Sequence, residues 1–241
     1  MLYILYYGSL IILIPGIIFA FIAQILVKIA FSKYSKRNAS SGITADEASR
    51  KMLRDHNCTG VSVQPTSGTL TDNYDPKTDV LSLSENVFGS SSIAALGVAA
   101  HECGHACQQY ENSFFLKLRS ILVPVTNIGS RAAVPVAIIG LILEWILAGS
   151  QNFGSYVLAF GILLYSLSTV FALVTLPVEI GASSRAMKML KEENFLEGKE
   201  LSGARRVLTA AALTYVASLV VSLLYLLRFL LILASLRKRN D

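Results

Sequence analysis

His101-Glu102-Cys103-Gly104-His105 carries the pattern H-E-x-x-H inside a stretch of helix-forming residues. On a helix, residues four apart stand one turn above each other on the same face. His101 and His105 can therefore direct two imidazole nitrogens at one zinc ion, each at about 2 Å. Glu102, adjacent in sequence, projects beside that metal, where its carboxylate can take a proton from water. The chain contains 3 histidines, so two of them are spent on this pattern. Chance alone would produce it in roughly one such sequence in a thousand. His56, beside Asp55, reads as a surface residue. Cys103 and Cys107 are also four apart and could act as soft ligands, but they project away from the histidine pair and read as small packing residues.

The elements that must position this motif are set by an apolar composition. Of 241 residues, 53% are hydrophobic and 15% charged, whereas about a quarter are charged in an ordinary soluble domain. Such a chain is not disordered, and 3 cysteines are too few for a disulfide scaffold. The net charge of +5 does not indicate nucleic acid. Lys28, Lys33, Lys36 and Arg37 follow one long apolar run, and Arg237, Lys238 and Arg239 follow another, which is how membrane-spanning segments are flanked.

A spanning helix needs about 20 apolar residues. Four candidates satisfy this: Leu2 to Val27, an uncleaved anchor; Ala132 to Ala148, with Glu144 and Trp145 at interface depth; Ser155 to Leu176, without charge; and Val207 to Leu236, interrupted by Arg228. The implied organisation is a membrane anchor (1–27), a polar catalytic region (28–131), two spans (132–176), a second polar segment (177–206), and a last span with a basic tail (207–241). The basic residues place both polar segments in the cytoplasm and the short Gly149 to Gly154 loop outside. Four full crossings would leave Arg237 to Arg239 outside, against that rule, so either the last segment bends along the interface after Leu227 or it does not fully cross. Gly129, Gly140, Gly154 and Gly161 permit close helix packing, within one chain, in a homo-oligomer or against a regulatory membrane partner.

Within the first polar region, Thr44 and Glu47 form a capping-box pattern that starts a helix running to His56, stopped by Asn57 and Gly60. Val61 to Val63 and Val80 to Ser84 alternate as short strands, with turn residues Pro65, Gly68, Asp72, Asn73, Asp75 and Pro76 between them. Ser90 to Ser92 offer N-caps for the motif helix, expected over Ser92 to Tyr110.

A catalytic zinc keeps three protein ligands and one position for water. No third histidine follows closely, as a metzincin requires, so the third ligand is expected to be a carboxylate on the same side of the membrane. Two crossings return the chain to that side, where Glu179 stands just after the third span. Its alternative reading is a helix-end charge paired with Arg185. Glu85, Glu111, Glu192, Glu193, Glu197 and Glu200 read as solvated charges.

The run from Ser92 to Gln108 closely resembles the bacterial YugP-type membrane zinc metallopeptidases. So do Leu70 to Pro76, Leu176-Pro177-Val178-Glu179 with Ala182-Ser183 and Arg185-Ala186, and Ala212 to Ala217. That group is itself similar to the HtpX and Ste24 membrane gluzincins. The resemblance covers most of the chain. It implies a mainly α membrane protein with about four transmembrane helices and a cytoplasmic α+β zincin-like catalytic domain containing a small β-sheet. It further implies one catalytic zinc held by His101, His105 and Glu179, Glu102 as general base, and a multi-pass location in a bacterial plasma membrane. The chain departs from the family where Asn73 replaces a frequent histidine, and where Cys103 and Cys107 replace small or aliphatic residues.

The expected activity is endopeptidase hydrolysis of unfolded or membrane-protein substrates. Arg185 is the candidate oxyanion donor, with a structural ion pair as its alternative. An extended peptide substrate would add as a strand beside Val80 to Ser84, unless that strand has no free edge. Two competing readings are an intramembrane site-2-type protease and a zinc-stabilised scaffold without turnover. The first needs a motif helix of spanning length, and only about 16 residues lie between its polar flanks, Ser90 to Ser92 and Gln108 onward. The second needs a closing fourth ligand and has no use for Glu102.

Overall fold

A computed structural model describes residues 9–147 and 153–240. Six helices and one sheet account for most of them. After a 3-10 turn at Ser9–Leu13, helix α1 (Ile14–Tyr34) and helix α2 (Ala45–Asp55) precede strands β1 (Ser62–Thr66), β2 (Asn73–Asp75) and β3 (Val80–Ser84). Helices α3 (Ile93–Tyr110), α4 (Phe114–Ile146), α5 (Phe153–Glu192) and α6 (Gly198–Asn240) follow. Four helices among the described residues are long and apolar enough to cross a membrane: Leu10–Tyr34, Phe114–Ile146, Phe153–Glu192 and Gly198–Leu236. The chain divides into two compact units, one drawn from Met1–Phe21, Leu118–Thr175 and Tyr215–Asp241, the other from Ile22–Lys117 and Leu176–Thr214.

In the first unit the apolar helices α4 and α5 approach closely. A Cβ on Gly161 would lie 2.8 Å from the Ala137 amide, and Gly140 and Gly154 press against the backbones of Leu158 and Glu144. These expected close-packing glycines thus join α4 to α5 within one chain. Glu144, expected at interface depth, is buried and accepts a hydrogen bond from Ser155 Oγ at 3.0 Å.

The second unit is built on the motif helix. Capping works as the residue pattern requires at α2, where the Thr44 amide donates to the Glu47 carboxylate at 3.1 Å. Asn57 ends that helix in the left-handed region, at φ 60°. Ala48 and Met52 of α2, Leu81 and Leu83 of β3, and Met189 and Leu190 of α5 share one core with the small residues of α3. Alanines at 94, 95, 99, 100 and 106 are fully buried, so neighbours approach the α3 backbone closely. The sheet order is β1-β3-β2, with β1 parallel and β2 antiparallel to β3.

The helices extend beyond the apolar runs expected to span the membrane. Beyond the N-terminal span expected over Leu2 to Val27 the described helix runs on to Tyr34, and residues 1–8 lie outside the described set, as do Ala148 and most of the 149–154 loop. Helix α4 begins well before Ala132, and α5 does not end at Leu176 but passes through Pro177 to Glu192. The reason is periodicity: Val178, Ala182, Ala186 and Met189 recur at helical spacing and are all buried. Helix α6 starts at Gly198 rather than Val207 and is continuous to Asn240, with no break in the helix after Leu227. The turn residues Pro65, Asn73 and Asp75 lie in strands, because β3 supplies partners on both sides. Glu193 and Glu200 are not simply solvated: Glu193 pairs with Lys51 at 2.7 Å, and Glu200 accepts from the Ser40 amide at 3.0 Å.

Candidate metal centre

Helix α3 is anchored at its start, which fixes where the motif falls. Ser92 Oγ accepts from the Ala95 amide at 3.2 Å, and the Ile93 amide donates to Arg37 O at 2.9 Å. Its partner is α5. A Cβ on Gly104 would lie 2.5 Å from the carbonyl oxygen of Ala182 and 3.1 Å from its carbonyl carbon. The backbones of α3 and α5 therefore touch at the glycine inside the motif, and only a residue without a side chain allows it.

This contact brings Glu179 over the histidines. Glu179 Oε2 lies 3.2 Å from His101 Nε2 and 3.4 Å from His105 Nε2. One ligand atom from each of the three residues falls within 4.8 Å of the others. Tetrahedral bonds of about 2.0–2.1 Å set neighbouring ligand atoms about 3.4 Å apart. The donor set and these spacings therefore fit a zinc ion. The Glu179 carboxylate is 2% exposed, and burial of a carboxylate is tolerated only with partners of opposite charge or donor character. Burial by itself would lower the pKa of His105, but its hydrogen bond to Glu179 and the nearby charge of Glu102 outweigh burial and raise it. Glu102 is itself buried in the second unit.

The remaining nitrogens of the two imidazoles are also engaged. Ser183 Oγ lies 3.2 Å from His101 Nδ1, and Gln108 Oε1 lies 3.0 Å from His105 Nδ1. Neither contact is among the sequence expectations. Gln108 had a readable signal, since it stands three residues after His105 on the same helix face. Ser183 had none, because it reaches His101 only through the α3–α5 contact.

Cys103 and Cys107 are buried in the core and stand outside this group. Burial pushes the Cys103 thiol up; the neighbouring Cys58 thiol, with burial, does the same to Cys107. Cys58 Sγ and Cys107 Sγ are 3.7 Å apart. His56 does not belong to the group either. Arg185 pairs with Glu111 through Nη2, and through Nε at 3.2 Å, while Nη1 donates to Gly181 O at 3.4 Å. The alternative in which Glu179 pairs with Arg185 does not describe this structure; Glu111 takes that place.

Four apolar helices and an H-E-x-x-H helix whose histidines meet a glutamate from a distant helix define a class, that of membrane zinc metallopeptidases. The family comparison agrees: the chain belongs to the family described as "Putative neutral zinc metallopeptidase", whose model matches residues 9–234. It is 46% identical over 221 residues to the "Putative membrane protease YugP" of Bacillus subtilis (strain 168), covering 92% of this chain and 94% of that protein. No solved structure matches the chain.

Proposed function

We propose that this member of the family is a gluzincin-like endopeptidase, with one catalytic zinc held by His101, His105 and Glu179 and with Glu102 as general base. The observation that carries this reading is the convergence of both Nε2 atoms on Glu179 Oε2, at 3.2 and 3.4 Å. Zinc, when bound, supplies a Lewis acid that polarises a carbonyl and brings the pKa of water toward about 7. Glu102 takes the proton from the attacking water as the new C–O bond forms and the carbonyl becomes an oxyanion, then delivers that proton to the amine, whose C–N bond breaks as the carbonyl re-forms. Arg185 would donate to the developing oxyanion. For that role its pair with Glu111 must open when substrate arrives.

Strand β3 lies at the centre of the sheet, with β1 paired along one edge and β2 along the other. With β3 paired on both sides over Val80–Ser82, the reading favoured here moves substrate addition from Val80–Ser84 to its neighbour β2. The outer edge of β2 is free within this sheet, and β2 packs against α3. An extended peptide adding there would be held by main-chain hydrogen bonds, which tolerate varied side chains and suit unfolded segments or membrane-protein loops. The basic residues at 28–37 favour the cytoplasmic face of a bacterial plasma membrane for this site.

The intramembrane alternative is less well supported. Helix α3 has 18 residues, most of them buried against protein in the second unit, and it is not among the four candidate spans. The scaffold alternative needs a fourth closing ligand, and Cys103 and Cys107 are committed to the core.

The test is cleavage of an unfolded protein by the detergent-purified chain, comparing wild type with Glu102→Gln. Chelator-sensitive cleavage that disappears in a variant still holding zinc supports the mechanism. Equal cleavage by both proteins refutes the role of Glu102.

A further inference from the structure

A histidine can offer Nε2 to a metal only if its proton sits on Nδ1. In His105 the group facing Nδ1 is Gln108, which is almost fully buried. A carboxamide could present either its oxygen or its nitrogen to the ring. Here the choice is made by a third group, because Gln108 Nε2 donates to the carbonyl oxygen of Val178 at 2.8 Å. A carbonyl can only accept, so the amide nitrogen must face Val178 and the oxygen must face His105, 3.0 Å from Nδ1. An oxygen acceptor at that position requires Nδ1 to be the protonated nitrogen. His101 is different: its neighbour Ser183 is a hydroxyl, which can donate or accept and so does not select a tautomer.

We propose that Gln108 is a positioning residue for the metal centre. It holds the His105 proton on Nδ1, leaves Nε2 as the donor toward the metal, and ties the second ligand to the backbone immediately before the third, Glu179. The proposal rests on the zinc reading above. It also accounts for Gly181, where a Cβ would stand 2.8 Å from Gln108 Nε2. The glycine makes room for the amide, and a methyl there would turn the movable end of Gln108 away from Val178 and His105.

The experiment is competition for zinc between a chromophoric chelator and the full detergent-purified chain. Wild type is compared with Gln108→Met, Gln108→Glu and Gly181→Ala, and thermal unfolding of each is followed in excess chelator. Outer partners of ligating histidines typically contribute about 10–100-fold in metal affinity, and a loss in that range is expected for Gln108→Met. Gln108→Glu keeps an acceptor for Nδ1–H and should hold zinc more tightly than Gln108→Met. A residue that only filled space would give the opposite order, since methionine matches the volume and glutamate buries a charge. Gly181→Ala should weaken zinc without lowering the unfolding temperature, because alanine is the better helix former. Wild-type affinity in Gln108→Met, or a Glu variant weaker than the Met variant, overturns the proposal. Failure of wild type itself to take up zinc removes the metal reading instead, and with it the proposal.

Discussion

Gly104→Ala tests whether backbone contact between α3 and α5 sets the ligand spacing. The added methyl would meet the Ala182 carbonyl oxygen at 2.5 Å, with its carbonyl carbon and Cα both at 3.1 Å. Non-bonded heavy atoms settle at about 3.5–4.0 Å, so the helices must part by about 1 Å at this point. No rotamer change relieves the clash, since the obstructing atoms are backbone. Glu179 lies three residues before Ala182 on the same helix and moves with it. Metal–ligand distances tolerate only about 0.2 Å, so a shift several times larger should weaken zinc binding at least about tenfold. Stability should fall by about 0–2 kcal/mol. Overpacking costs about 1–3 kcal/mol, offset by about 1 kcal/mol of helix propensity. Chelator competition measures the first quantity, and urea unfolding in excess chelator the second. A Gly104→Ala protein that keeps zinc within about twofold of wild type would refute the reasoning, because the ligand spacing would then not depend on this contact.

Arg185→Gln and Glu111→Gln separate the two roles of that pair. An oxyanion donor should cost about 10²–10³-fold in kcat when Arg185 is removed and little when Glu111 is removed, whereas a purely structural pair gives small and equal effects in steady-state kinetics. Cys103→Ala and Cys107→Ala should keep zinc stoichiometry while losing about 1 kcal/mol of packing, read by metal analysis and unfolding; loss of zinc would return the thiols to the ligand set. Asp46 bonds Arg50 at 2.6 Å and the Gly89 amide at 3.2 Å, and these bonds, opposed by burial, hold its carboxyl below the usual range. A pKa depressed in the folded state gives stability that is present above the unfolded pKa and lost as pH falls. Wild type should therefore lose more stability than Asp46→Asn between neutral and acid pH, and parallel urea curves for the two proteins would count against it.

The motif helix was readable from its own residues. Ser92 as cap and Tyr110 as last residue follow from local hydrogen bonding and side-chain spacing, and so does the common face of His101 and His105. That Glu179 would lie beside the two histidines was also within reach, because two candidate spans, an even number, separate it from the motif helix. Tertiary structure decided the rest. Whether α5 continued past Pro177 depended on a core that buries Val178, Ala182 and Ala186. Whether β3 had a free edge depended on Asn73 to Asp75, which look like turn residues until the neighbouring strand offers them partners. The pairing of Arg185 with Glu111, 74 residues away, and of Ser183 with His101, 82 residues away, follows from the close approach at Gly104. Spacing along a helix is a property of neighbouring residues, and sequence states it directly. The distance between two helices is set by which side chains are absent where they meet, and only the folded chain shows where that is.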